Sequence, residues 1–162
     1  MRGSYLLVVL LKEDKTIRTK GREFRLRRGH YVYVGSAMNS LEKRVARHFS
    51  ENKRLHWHID FLLRDAELLR AYLIPSEERL EEKLSLEVAK YGEPVEGFGA
   101  GDVRVSTNLY RFDGEPDGTL TAILSRLGLE WKRVKSGEEV IEFGEKNETS
   151  ARKGRDLHSR ED

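Results

Sequence analysis

The sequence contains no cysteine and no long hydrophobic run, and each absence excludes a class of protein. Without cysteine, disulfide bonds, thiolate metal sites and redox chemistry on sulfur are excluded. The apolar run from Tyr5 to Leu11 is far shorter than the roughly 20 residues of a membrane span. It lacks a small-residue cleavage site and leads directly into Lys12, so it predicts a buried strand and not a signal peptide. We therefore expect a soluble, cytoplasmic protein without a membrane partner.

Neither sign of charge is in large excess, because 30 lysines and arginines face 28 aspartates and glutamates. The basic residues nevertheless concentrate in the N-terminal third. Eight of them lie between Lys12 and Arg28, and a second group follows at Lys43, Arg44, Arg47, His48, Lys53 and Arg54. Solvated faces of a charge-rich protein and a phosphate-binding surface both produce such a pattern, so both interpretations stay open.

The length of 162 residues predicts a single domain. We place it at residues 1–143, with a motif-bearing core over 2–112 and a C-terminal helix and strand extension over 113–143. Residues 144–162 contain only Ala151 and Leu157 as apolar side chains. Such a segment buries too little apolar surface to offset its ordering entropy, so it predicts a disordered charged tail.

Hydrophobic periodicity predicts a mixed α/β order of elements. Strands are predicted at Ser4–Leu11, Glu23–Arg27, His30–Gly35, Leu68–Ile74, Thr107–Phe112, Leu129–Val134 and Val140–Phe143. Helices are predicted at Ser40–Phe49, from the Ser76 cap to Gly92 with an apolar stripe of Leu80, Leu84 and Val88, and at Leu120–Leu127. The segment His56–Leu63 fits either a strand or the first turn of a buried helix.

Two short segments carry more specific signals. In the strand before Gly35, Tyr31 and Tyr33 alternate with Val32 and Val34, so the tyrosines share one face. After that glycine, Asn39 and Glu42 have the spacing of a capping box at the start of a helix.

Three pieces resemble the GIY-YIG nuclease superfamily: Gly3-Ser4-Tyr5, Tyr33-Val34-Gly35, and Leu41-Glu42-Lys43-Arg44-Val45. A longer ordered set is similar to an uncharacterised, mainly archaeal GIY-YIG-like family that is sometimes fused to endonuclease III. That set is Tyr31–Ala37, Arg47-His48, His56-Trp57-His58-Ile59-Asp60 and Gly97–Ala100. The resemblance covers about residues 2–112.

The resemblance implies an α/β fold of the α+β type, in which helices flank a small central antiparallel or mixed sheet. It also implies an endonuclease that hydrolyses DNA phosphodiester bonds with one divalent ion, Mg²⁺ or Mn²⁺. Tyr5 would then activate water, Tyr33 would be its hydrogen-bonding partner, Arg44 would bind the phosphate and Glu81 the metal. These residue types suit the chemistry, because a phosphodiester transition state gathers negative charge that a fixed cation stabilises.

His48 follows Arg44 by four residues, so both side chains could reach one phosphate. This pair resembles the structure-selective branch of the superfamily, which cuts branched DNA, and it implies a role in DNA repair or recombination on branched or damaged DNA. DNA is the expected partner, with RNA still open, and other repair proteins are expected partners as well. The residues expected to bind nucleic acid are Arg25, Arg27, Ser36, Arg47, Lys53 and Arg54.

His56, His58 and Asp60 alternate like the ligands of a strand-borne zinc or other transition-metal site. A structural histidine beside Trp57 is the interpretation we prefer.

The other candidates also have structural alternatives. Tyr5 and Tyr33 could form a cross-strand aromatic pair. Arg44 and His48 could lie on a solvated helix face, and Glu81 belongs to a glutamate-rich segment whose acidic residues promote solubility.

The sequence also departs from the pattern. Ser36 stands where some GIY-YIG nucleases have lysine, and Asn108 stands where the closer family tends to have histidine. Gly101-Asp102-Val103 and Val105 replace a cysteine-containing segment of those relatives. These departures keep open a non-catalytic module that binds nucleic acid or joins a repair complex.

Overall fold

The computed structural model describes residues 1–99 and 106–148, and these form eight strands and five helices. The strands are β1 (Gly3–Leu11), β2 (Lys15–Thr19), β3 (Arg22–Leu26), β4 (Gly29–Ala37), β5 (Glu67–Pro75), β6 (Glu93–Pro94), β7 (Leu109–Phe112) and β8 (Lys132–Val134). The helices are α1 (Leu41–Phe49), α2 (His58–Asp65), α3 (Glu81–Ala89), α4 (Asp117–Arg126) and α5, which covers residues 137–148. Within the two described ranges, the helices are all too short or too polar to traverse a bilayer.

Six strands form one antiparallel sheet in the order β6-β7-β4-β1-β5-β8, while β2 and β3 form a separate hairpin. β1 lies at the centre and pairs with β4 on one side and β5 on the other. Helices cover both faces of the sheet, which explains why β1 is an almost unbroken apolar run. This architecture confirms the predicted α+β class.

The two faces of the sheet contribute to separate hydrophobic cores. On one face the core includes residues of α1, α2, α5 and the β2–β3 hairpin, and on the other it includes residues of α3 and α4. Tyr31 and Tyr33 lie in the first core together with Tyr5, whereas Val32 and Val34 lie in the second. The predicted alternation along β4 is therefore confirmed.

The segment between the predicted strands Ser4–Leu11 and Glu23–Arg27 contains a further strand. This strand is β2, whose Ile17 is fully buried opposite Phe24 of β3. Ile17 is the single apolar residue of β2, which is too few for a period of two to be visible in the sequence.

The structure differs from the sequence prediction at four places. The strand predicted at Val140–Phe143 is part of α5, in which Val140 and Phe143 are three residues apart and pack on the same core. The same helix includes residues 144–148 of the predicted tail, and 149–162 lie outside the described residues. Helix α3 begins at Glu81 because the Ser76 hydroxyl accepts the amide of Glu78 in a turn. The cap of α1 is Ser40, not Asn39.

Two further segments can be compared with their predictions, and a third lies only partly within the described residues. The ambiguous stretch after His56 is helical from His58 onward. The stripe of Leu80, Leu84 and Val88 is buried as predicted. The glycine-rich segment 97–102 lies only partly within the described residues.

Candidate functional site

One cleft opens where β1 begins and β4 ends, with a volume of about 420 Å³. Its lining combines residues from both strands, α1, the start of α3 and the glycine-rich segment. The lining residues are Tyr5, Tyr33, Gly35, Ser36, Met38, Asn39, Arg44, Trp57, Arg79, Glu81 and Gly99. Candidate residues that are far apart in the sequence, Tyr5, Tyr33, Arg44 and Glu81, thus line the same cleft.

Tyr5 and Tyr33 project from neighbouring antiparallel strands on the same face of the sheet. Their ring centroids are 6.4 Å apart, so the two phenols lie side by side in the cleft. Tyr5 lies opposite Gly35 in the β1–β4 register, and a Cβ atom at Gly35 would fall 2.6 Å or less from three atoms of the Tyr5 side chain. The glycine therefore makes room for the tyrosine.

His48 lies behind Tyr5. Its Nε2 atom lies 2.8 Å from the Tyr5 hydroxyl, and the side chain is only 2% exposed. Arg44 lines the cleft, whereas His48 reaches it through Tyr5. Nδ1 of His48 is buried and has no hydrogen-bond partner among the described residues.

Burial keeps the buried aromatic groups of the site uncharged. Desolvation raises the pKa of Tyr5 well above its usual value, and the nearby charge of Arg44 opposes this rise only in part. The pKa of Tyr33 is raised in the same way. Burial lowers the pKa of His48 to about 3. At neutral pH the site therefore contains two neutral phenols and a neutral imidazole.

Arg44 is held in the cleft by two contacts. Its Nη1 donates to the carbonyl oxygen of Ser36 at 3.2 Å, and its guanidinium lies 4.4 Å from the centroid of the Trp57 ring. A cation near an aromatic face is stabilised by about 0.5–2 kcal/mol. These contacts fix the guanidinium without neutralising its charge.

Glu81 is the carboxylate that lines the cleft. Its negative charge acts on both phenols, raising the pKa of Tyr5 and of Tyr33. Among residues 1–99 and 106–148, no group of three or more histidine, aspartate or glutamate side chains could hold a metal ion. A single carboxylate in a cleft suits a hard, largely hydrated ion such as Mg²⁺ better than zinc, which takes several nitrogen or sulfur ligands.

Two residues expected to bind nucleic acid make contacts within the protein. Arg47 makes two hydrogen bonds to the buried carboxylate of Asp60, at 2.8 and 3.0 Å, and its guanidinium lies 4.5 Å from the Trp57 ring centroid. Lys53 donates to the carbonyl oxygens of His48 and Ser50 at the end of α1. These contacts give both cations a structural function, and their binding of nucleic acid stays a prediction.

The other four expected contacts differ in position. Ser36 lines the cleft, and its hydroxyl lies 3.0 Å from that of Ser4. Arg25 and Arg27 line a second groove beside β3, where Arg27 pairs with Glu93 at 2.5 Å. Arg54 is exposed on the loop after α1. The structure brings only Ser36 to the cleft.

The residues His56, His58 and Asp60 do not converge as metal ligands. Asp60 accepts the backbone amides of His56 and Trp57, each at 2.9 Å, in addition to Arg47. His58 packs against the rings of Phe24 and Phe98, with centroids 5.4 and 5.5 Å away. This geometry agrees with the structural alternative, and the carboxylate of Asp60 instead fixes the start of α2.

Sequence reasoning missed Trp57 and Arg79 as residues of the cleft. In the sequence, Trp57 stands out only as a neighbour of His56 and His58. The signal for its contacts with Arg44 and Arg47 is its place between the basic helix α1 and Asp60. Arg79 stands among glutamates in the sequence, and nothing in that pattern distinguishes it from a solvated charge.

The comparisons with known proteins give one match. A family model described as "Domain of unknown function DUF123" matches residues 4–129, which include β1, β4, α1 and the start of α3. The comparisons with curated proteins and with solved structures found no match.

Proposed function

We propose that this chain, which belongs to the family described as domain of unknown function DUF123, is a metal-dependent endonuclease of the GIY-YIG type. Its substrate would be DNA, with RNA as the alternative, and branched or damaged DNA in repair or recombination would be the setting. A cytoplasmic location is part of the proposal and agrees with the absence of cysteine.

One observation carries the proposal. The Tyr5 phenol is hydrogen-bonded to a buried, neutral His48 in the same cleft that Arg44 and Glu81 line. A hydrogen-bonded phenol, a fixed guanidinium and a carboxylate are groups that can position water, stabilise the developing charge on phosphate oxygens and hold a metal ion in phosphodiester hydrolysis. They come from three different parts of the chain, so chance neighbours along one helix do not explain their meeting.

The pair of Tyr5 and His48 suggests how the attacking water is positioned. The Tyr5 hydroxyl, held by its hydrogen bond to Nε2 of His48, would orient a water molecule toward phosphorus. The water oxygen would form the new P–O bond as the bond to the leaving oxygen breaks; the water proton would pass to solvent, and the leaving oxygen would take a proton from solvent. This path requires neither a free phenolate, which the raised pKa of Tyr5 disfavours, nor a charged imidazole, which the lowered pKa of His48 disfavours.

Arg44 would bind a non-bridging phosphate oxygen. Its guanidinium is held by Ser36 and Trp57, so little side-chain entropy would be lost when the phosphate arrives. Glu81 would hold the divalent ion, which would supply positive charge to the phosphate oxygens and the leaving oxygen. Tyr33 would border the reacting water beside Tyr5.

The raised pKa values of Tyr5 and Tyr33 also support a second candidate, a module that binds nucleic acid without cutting it. Two neutral phenols and a guanidinium can bind phosphates and bases whether or not the site also cuts the strand. Ser36 at the position where related nucleases have lysine points the same way. The two candidates differ in cleavage and not in affinity.

The test is a cleavage assay with labelled single-stranded, duplex, flap and four-way-junction DNA and matching RNA, with and without Mg²⁺ or Mn²⁺. The parent should cut at least one substrate in a metal-dependent way. Tyr5→Phe, His48→Gln and Arg44→Ala should each lower the rate by 100-fold or more, since removing one transition-state contact costs about 3 kcal/mol.

Tyr31→Phe is the matched control for Tyr5→Phe. Tyr31 lies on the same face of the sheet as Tyr33, but its hydroxyl donates to the carbonyl oxygen of Arg27 outside the cleft. Its variant should cut at the parent rate. If the parent cuts none of the substrates with either metal, catalysis is abandoned and the binding module remains.

A further inference from the structure

The cleft contains a second guanidinium besides that of Arg44. Arg79 lies between β5 and α3, two residues before Glu81, and lines the cleft from that segment. The residue is exposed, so its side chain is accessible to a large ligand. Arg44 and Arg79 thus approach one cleft from two different elements, α1 and the segment that leads into α3.

Both guanidiniums lack an acidic partner within the described part of the chain. No carboxylate of those residues lies within ion-pair distance of Arg44 or Arg79. Some arginines elsewhere are paired, as Arg126 is with Glu87 at 2.7 Å, whereas others outside the cleft, such as Arg25 and Arg64, have no ion pair with a described carboxylate either. Arg44 and Arg79 differ from these in lining one cleft together. An arginine in a concave site without a carboxylate partner is available to bind phosphate through its planar fork of N–H donors.

The two arginines differ in their surroundings. Arg44 is held against Ser36 and Trp57 inside the cleft. Arg79 is exposed on the segment that leads into α3. The two guanidiniums thus enter the cleft from separate elements, an arrangement suited to two separate phosphates.

We propose that Arg79 binds a phosphate next to the scissile one, so that Arg44 and Arg79 hold two phosphates of the same strand. The inference rests on the proposed function and adds to it a positioning residue that needs no contact with the reacting atoms. It predicts that the substrate is a continuous strand with phosphates beyond the cut site, and that a single isolated phosphodiester binds poorly.

The experiment measures binding of a fluorescein-labelled oligonucleotide by anisotropy in EDTA, so that cleavage does not interfere. Arg79→Gln should raise Kd about five- to tenfold and reduce the slope of log K against log salt by about 1. Arg64→Gln removes the same charge from an exposed position on α2 outside the cleft, and it should leave both quantities close to the parent values. Arg79→Lys should restore part of the affinity.

A second arm locates the contact. Single phosphates of the oligonucleotide are replaced one at a time by uncharged methylphosphonates, and the loss of affinity is compared in the parent and in Arg79→Gln. At one position beside the cut site, the replacement should weaken the parent but not the variant, because the contact is already gone. Urea unfolding of Arg79→Gln should match the parent, which separates lost binding from lost structure.

The outcomes distinguish the two proposals. If the parent binds oligonucleotides and Arg79→Gln binds with the same affinity and salt slope, the role of Arg79 is overturned and the nucleic-acid function stands. If the variant is weakened but no single methylphosphonate position becomes insensitive, Arg79 contributes only general attraction and the two-phosphate proposal is overturned. If the parent binds no oligonucleotide, both proposals fail.

Discussion

The Tyr5 ring occupies the space that a side chain at Gly35 would need. A Cβ atom on Gly35 would lie 2.3 Å from Cζ and 2.4 Å from the hydroxyl oxygen of Tyr5, far inside van der Waals contact. The two residues are direct partners across β1 and β4. The glycine that ends Tyr33-Val34-Gly35 is thus a requirement of the tyrosine on the neighbouring strand.

Gly35→Ala should therefore displace the Tyr5 ring and break its hydrogen bond to His48. Overpacking of this kind costs about 1–3 kcal/mol, so the free energy of unfolding in urea should fall by that amount. Cleavage, if present in the parent, should fall with it. Gly118→Ala is the control, since nothing lies within 4 Å of a Cβ there, and a helical alanine should be neutral or slightly stabilising. Equal stability of the two variants would contradict the packing argument.

The geometry around Tyr5 was largely predictable from the sequence. Period-two alternation in β4 placed Tyr31 and Tyr33 on one face, and the resemblance to the GIY-YIG pattern placed Tyr5 beside Tyr33. The position of His48 was not predictable, because a spacing of four residues shows only that Arg44 and His48 share a helix face. Whether that face meets solvent or the neighbouring strand depends on how α1 packs against the sheet.

The functions of the basic residues were the least predictable part. Arg25 and Lys53 are equally plausible phosphate ligands in a sequence, yet Arg25 is exposed and Lys53 caps α1. The acidic partner of Arg47 lies 13 residues away, in a segment whose secondary structure was ambiguous. At α5, the side chains of Val140, Ile141 and Phe143 suggested a strand because a short apolar run fits either element.

His48 should remain neutral over the whole range in which the protein is folded, and this has a consequence for stability. Its folded pKa, about 3, lies below the value of roughly 6.5 in an unfolded chain. Below pH 6.5 the unfolded state binds the proton more readily, so stability falls as pH decreases. Between pH 7 and pH 5 this histidine alone should remove about 2 kcal/mol from the free energy of unfolding.

Urea unfolding of the parent and of His48→Gln at both pH values measures that contribution. The difference in stability between pH 7 and pH 5 should be smaller in the variant by about 2 kcal/mol. The ring resonances of His48 in NMR spectra should not shift over this range. An imidazole that titrates near pH 6 would show that the site is open to water and would remove the argument for a neutral His48.

Asp60 should be a second source of pH dependence, at lower pH. Hydrogen bonds from Arg47 and from two backbone amides hold the pKa of this buried carboxyl below its usual range, despite the opposing effect of burial. The stability that it contributes is present above the unfolded pKa of about 4 and is lost as pH falls through the folded value. Acid unfolding should therefore begin below about pH 4.

Asp60→Asn should lower the free energy of unfolding at pH 7 by about 3 kcal/mol, since Arg47 loses its charged partner beside Trp57. The gap between parent and variant should narrow below about pH 4, where the unfolded parent takes up the proton at this carboxyl, and it should narrow further until pH falls below the folded pKa. Asp65→Asn is the control, because Asp65 is 3.9 Å from Lys15 in a partly exposed pair and should change stability by less than about 1 kcal/mol. A constant gap at all pH values would argue against a charged Asp60.

Variants of Arg25 and Lys53 should separate effects on nucleic-acid binding from effects on protein stability. Both residues are basic, but Arg25 is exposed and Lys53 donates to two backbone carbonyl oxygens. Arg25→Gln should reduce the slope of log K against log salt for oligonucleotide binding by about 1 and leave urea unfolding unchanged. Lys53→Gln should leave the salt slope unchanged and lower the free energy of unfolding by about 1 kcal/mol. It removes two hydrogen bonds of 2.9 and 2.8 Å at the end of α1. Anisotropy titrations at several salt concentrations and urea unfolding of both variants measure the four quantities. If Arg25→Gln left the salt slope unchanged while Lys53→Gln reduced it, the phosphate-binding surface would lie beside α1 rather than on the hairpin.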